Sequence, residues 1–96
     1  MKVELSAEAE AQVGVIDAWW QDNRRAAPDL FANELAHTLT ALADTPGLGI
    51  MYQARTRTTR RVLLRRTHYH IYFVEEPGRL FVLAVWSAFR GRGPRL

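Results

Sequence analysis

Apolar positions change their rhythm halfway along the chain. Up to about residue 44 they recur at the three-to-four-residue spacing of a helix, and beyond Gly49 they alternate or run together as they do in strands. After a short stretch at residues 3–5 in which apolar and polar positions alternate, Ser6 stands where an N-cap belongs, and Glu8 and Glu10 supply first-turn negative charge. Ala9, Val13, Ile16 and Trp20 then share one face of a predicted helix, with Glu10, Asp17 and Arg24 elsewhere on the wheel. This helix is expected to end at residues 23–25.

Pro28 and Asp29 predict a second helix start, because proline is tolerated in a first turn and aspartate offsets the dipole there. Phe31, Leu35, Leu39 and Leu42 form its apolar stripe, and Pro46-Gly47 must stop it. The short connection predicts an antiparallel helical hairpin. Strands are predicted at residues 50–54, 61–66, 68–75 and 79–88, with a turn at Pro77-Gly78 and another near Thr67. Alternation places Tyr69, Ile71 and Phe73 on one face of the third run and His68, His70, Tyr72 and Val74 on the other. Val62 and Leu64 likewise oppose Leu63. The helical hairpin can cover only one face of such a sheet. The expected architecture is α+β: a short first strand and a helical hairpin packed on one side of a small, mostly antiparallel sheet.

The 96 residues suffice for one domain, expected to span 1–96, and 48% hydrophobic content supports a core. There are no cysteines, so neither disulfides nor thiolate zinc sites are available. The first residues meet charge at once rather than an apolar leader, and no run approaches the roughly 18 apolar residues of a membrane span. A cytoplasmic protein without a membrane partner is expected.

Charge is distributed unevenly. Residues 1–44 hold 8 acids and 3 bases, while residues 45–96 hold 2 acids and 10 bases. Twelve of the 13 bases are arginine, the side chain suited to forked contact with phosphate and carboxylate. The densest stretch, RTRTTRRVLLRR at residues 55–66, carries six of them. Arg55 and Arg57 fit a solvated loop and strand edge as well as a binding surface.

His68, His70 and Tyr72 form a candidate acid–base group, against which stands the plainer reading of half-exposed strand residues. No metal is expected: the remaining histidine, His37, lies in the helical half without a metal-binding motif. No nucleophile elbow, phosphate-binding glycine loop or dinucleotide fingerprint is present, and no cofactor is expected.

The stretches ALADTPGLG at the end of the second helix, the strand hairpin bearing Arg65, Tyr69 and Tyr72, and VLAVWSAFRGRGP with Arg90 resemble the RelE/ParE superfamily of bacterial toxins, also called plasmid stabilisation proteins. The resemblance covers almost the whole chain. It implies a toxin of a type II toxin–antitoxin module, joined to its antitoxin in a hetero-oligomer. RelE-like members cut mRNA on the ribosome, whereas ParE-like members inhibit DNA gyrase. The ParE-like branch is favoured, because Lys2 is the only lysine, no tyrosine follows Tyr72, and His70 stands where RelE-like nucleases carry a catalytic arginine. Were the chain an mRNA interferase, His68, His70, Tyr72, Arg65 and Arg90 would form its catalytic set. The expected surface for antitoxin or target comprises Arg61, Arg65, Arg66, Arg90 and Arg92. A non-toxic binding module on the same fold is the third reading.

Overall fold

Ser6 caps the first helix as its position predicts, and it also anchors that helix to the sheet. Its Oγ accepts from the Ala9 amide at 3.0 Å and donates to the Leu83 carbonyl at 3.1 Å. The computed structural model describes residues 1–54 and 57–96. Their order is β1 (Lys2–Leu5), α1 (Ala7–Asn23), α2 (Leu30–Asp44), a 3-10 turn (Pro46–Leu48), β2 (Ile50–Tyr52), β3 (Thr59–Leu64), β4 (Tyr69–Glu76) and β5 (Arg79–Ser87). The sheet order is β1-β5-β4-β3-β2, with β1 parallel to β5 and every other pairing antiparallel.

Both helical stripes enter the core. Ala9, Trp20, Phe31, Leu35 and Leu42 pack on Leu64, Ile71, Phe73, Leu80, Val82 and Val85 from one face of the sheet. Tyr69 of β4 ties both helices to the sheet: its ring meets Phe31 edge-on at 5.1 Å and its hydroxyl accepts from Trp20 Nε1 at 3.1 Å. Asp29 caps α2 by position, but its carboxylate accepts from Gln21 Nε2 at 2.9 Å and makes no capping bond. It links the two helices across their connection.

Several strand boundaries differ from the sequence-based expectation. β2 ends at Tyr52 and β3 begins two residues early at Thr59. Arg65 and Arg66 leave β3 for a turn, because the Glu34 carboxylate of α2 captures the Arg66 and Thr67 amides at 2.8 and 3.0 Å and Thr67 Oγ1 at 2.7 Å. His68 closes that turn in the left-handed region (φ 65°), its amide bonded to the Leu64 carbonyl, and so it precedes β4 instead of belonging to it. Pro77-Gly78 forms the expected turn, with Gly78 at φ 77°, a conformation that suits glycine. Arg57 is exposed near Glu76, whereas Arg55 lies outside the described residues.

A bulge decides what faces away from the helices. Tyr72 pairs with Ala84 and Phe73 with Val82, so Leu83 is the extra residue on β5. Val85 thereby stays in phase with Val82 in the core, and Ala84 and Trp86 turn to the second face beside Tyr72 and His70.

Candidate functional site

The second face is covered by residues 90–96. Trp86 Nε1 donates to the Arg92 carbonyl at 2.9 Å, pinning this strap across the sheet. Gly93 rests on two tyrosines: a Cβ there would overlap Tyr52 Oη and sit 3.5 Å from Tyr72 Oη. A side chain at this position would require the Tyr52 hydroxyl to move. Tyr72 beneath is 1% exposed, although it lies on the face away from the helices. Sequence alternation identified that face but could not show that a distant segment closes it.

Between strap and sheet lies a cavity of about 200 Å³ lined by Arg61, His70, Tyr72, Trp86, Arg90 and Arg92 together with the strap backbone. Register explains the assembly, since Arg61 on β3 pairs with Tyr72 and His70 pairs with Trp86. The Arg61 guanidinium donates to Tyr72 Oη at 3.4 Å and stands 5.2 Å from the Tyr52 ring centroid. Arg90 stacks on Trp86 at 4.2 Å. Tyr52 and Tyr72 meet edge-on at 4.8 Å, giving the strap an aromatic floor.

Burial, and secondarily the Arg61 guanidinium, holds the His70 imidazole below its ordinary value of 6.5. The unfolded chain therefore takes up a proton at this position near pH 6.5, and the folded chain only at lower pH. His70 contributes full stability above that range and loses it as pH falls through 6.5 towards the folded value. Urea denaturation from about pH 7.5 to about 5 should show this acid-side loss. His70→Gln should flatten it, leaving only the part due to the other titrating groups.

The remaining sequence candidates are elsewhere. Arg65 and Arg66 project from the β3–β4 turn with His68, whose ring lies tilted against Phe89 at a centroid distance of 5.0 Å. Arg66 and His68 border a second cavity of about 360 Å³ with Trp19, Trp20 and Arg24. The arginines expected to form one surface thus divide into two groups: Arg61 of β3 with Arg90 and Arg92 of the strap around this cavity, and Arg65 and Arg66 at the turn. The proposed nuclease set is divided likewise, with His70, Tyr72 and Arg90 together and His68 and Arg65 apart.

A third surface had only part of its signal in the sequence. Val15, 73% exposed, and Trp19 lie on the outer side of α1 and, with Ile16, Val85, Trp86 and Arg90, line an apolar groove of about 420 Å³. β5 outruns β1 here, because β1 pairs only as far as Val82. Gln12 Oε1 accepts from the Val85 amide at 2.8 Å, standing in for a strand partner. Among the described residues, no three His, Cys, Asp or Glu side chains gather as they would around a metal ion. Nor is any described helix long and apolar enough to cross a membrane.

A helical hairpin on one face of a mixed five-stranded sheet, entered by a parallel first strand, is an α+β fold of the RelE/ParE type. The chain is similar in structure to one in the chromosomal ParDE TA system from P. aeruginosa, with a TM-score of 0.73, 15% identity and coverage of 91% of this chain and 95% of that one. No protein-family model matches the sequence, and no curated protein matches it.

Proposed function

We propose that this chain is the toxin of a type II toxin–antitoxin module, that it acts in the cytoplasm on DNA gyrase, and that a cognate antitoxin holds it inactive in a hetero-oligomer. The observation that carries this reading is the likeness to a chain of a ParDE TA system over 91% of the present chain. The dispersal of the candidate nuclease residues supports the gyrase branch over mRNA cleavage, since His68 and Arg65 lie apart from His70 and Tyr72. The antitoxin segment that suits this surface is acidic and apolar. Its apolar side chains would enter the groove beside Val15 and Trp19, and its carboxylates would meet Arg90 at the rim and the Arg65–Arg66 turn.

The test is a supercoiling assay with purified folded chain, run beside a ribosome-dependent mRNA cleavage assay. The expected result is loss of supercoiling or accumulation of cleaved DNA–gyrase complex, reversed by the product of an adjacent short reading frame, with mRNA intact. Unchanged gyrase together with cut mRNA would move the chain to the interferase branch. No effect in either assay, and no growth arrest on expression, would leave a binding module on a toxin fold.

A further inference from the structure

The cavity under the strap has an unbalanced charge. Arg61, Arg90 and Arg92 line it and no carboxylate does. Among the described residues, none of the three lies within 4.0 Å of an acidic side chain, whereas Lys2, Arg57 and Arg79 all do. Three arginines lining one space of this size, with no carboxylate among them, suit an anion held between them. The other polar groups are also suited to an oxyanion. Tyr72 Oη already accepts from Arg61 Nη1, which leaves its own proton available to donate, and His70 offers a ring N–H.

We infer that the space between Arg61, His70, Tyr72 and the strap is a binding site for a terminal phosphate group, with Arg61, Arg90 and Arg92 as its cations and residues 90–96 as its cover. Two features favour phosphate over carboxylate. A terminal phosphate brings about −1.5 to −2 charge at neutral pH, a closer match to three guanidinium groups than a single carboxylate charge. It also offers oxygens in several directions, so that donors from β3 and from the strap can both be engaged, where a planar carboxylate satisfies one forked arginine. The ring of His70 stays neutral near pH 7, so its second nitrogen can accept from a phosphate hydroxyl. The strap's place in the site follows from its chemistry: Arg92 lies within it, and Gly93 holds it against Tyr52 and Tyr72.

The ligand is either free phosphate or the terminal phosphate of a nucleotide, and the two are separable. The full chain is titrated by calorimetry at constant ionic strength with inorganic phosphate, adenosine 5′-monophosphate, adenosine and acetate. Phosphate should bind at least roughly tenfold more tightly than acetate, and adenosine should not compete. Equal affinity for phosphate and the nucleotide assigns the site to the phosphate group alone; a further tenfold gain for the nucleotide assigns it to a nucleotide end. Arg92→Gln, on the exposed strap, and Arg61→Gln should each weaken phosphate about tenfold, and Arg61→Lys, which keeps the charge and loses the fork, should fall between. Gly93→Val should weaken it by lifting the cover, with a thermal melt confirming that each variant is folded. Phosphate no tighter than acetate, or arginine variants that bind as the parent does, would overturn the site. Unchanged binding in Gly93→Val would remove the strap from it. The site does not rest on the toxin reading: anion binding is measured on the chain alone, so its failure leaves the gyrase result untouched.

Discussion

Replacing Phe31 with alanine should cost about 3–5 kcal/mol and lower the melting temperature by roughly 15–30 °C. Phe31 is fully buried in the first turn of α2, where the helical hairpin meets the sheet. Its ring is the edge-on partner of Tyr69, and the Tyr69 hydroxyl in turn receives the Trp20 indole N–H. Truncation therefore removes a large transfer term and leaves a cavity bounded by α1, α2 and β4, three elements that cannot close in together without breaking the Trp20–Tyr69 bond. Phe89→Ala supplies the contrast. That ring is 79% exposed, so its loss should change stability by no more than about 0.5 kcal/mol. Differential scanning calorimetry on both variants checks the pair, and a Phe31 variant melting within a few degrees of the parent would show that the hairpin–sheet seam is not the main source of stability.

Phe31 was legible in the sequence because a helix repeats one face for several turns. The stripes Ala9–Val13–Ile16–Trp20 and Phe31–Leu35–Leu39–Leu42 each fixed a helix and its buried side, and the observed core follows them. Strand alternation was informative over fewer residues. It placed His70 and Tyr72 together away from Ile71 and Phe73, yet it carried His68 along with them, because nothing local announces that a non-glycine residue will take a positive φ. The cause is remote: Glu34, 33 residues earlier than Thr67, draws the backbone into the turn. The Leu83 bulge escaped for a related reason, since it is set by pairing between β4 and β5 and has no composition of its own. Counting arginines had the same limit. Arg61 and Arg65 are four positions apart, but one is on a strand facing the cavity and the other is in a turn, and only the register separates them.

The strap was the least legible part of the site. FRGRGPRL looks solvated in isolation, being rich in arginine and glycine and lacking any period. Its fixed position depends on a hydrogen bond to Trp86 and on a pair of tyrosines from β2 and β4. Those tyrosines come together only once the sheet has formed. The candidate site is therefore a product of tertiary structure in a way that the core is not: its cations come from β3 and from residues 90–92, its floor from β4 and β5, and its cover from the strap that Gly93 seats on Tyr52 and Tyr72.

The turn that displaces His68 should be the second most sensitive point in the chain. Glu34→Ala is expected to cost about 2–4 kcal/mol, because it removes three bonds to a charged acceptor and leaves the buried Thr67 amide and hydroxyl without a partner. Glu34→Gln, which keeps one acceptor oxygen but not the charge, should lose about half as much. Position distinguishes this from a loss of packing. Amide exchange at Arg66 and Thr67 should accelerate well beyond exchange at Ile71 and Val85, whose ladder bonds do not involve Glu34, since the turn can open while the β4–β5 hairpin stays closed. Arg66 and His68 would lose their fixed positions in the same event. If exchange at Thr67 and Ile71 rose by the same factor, the carboxylate would be stabilising the whole domain and not specifically the turn.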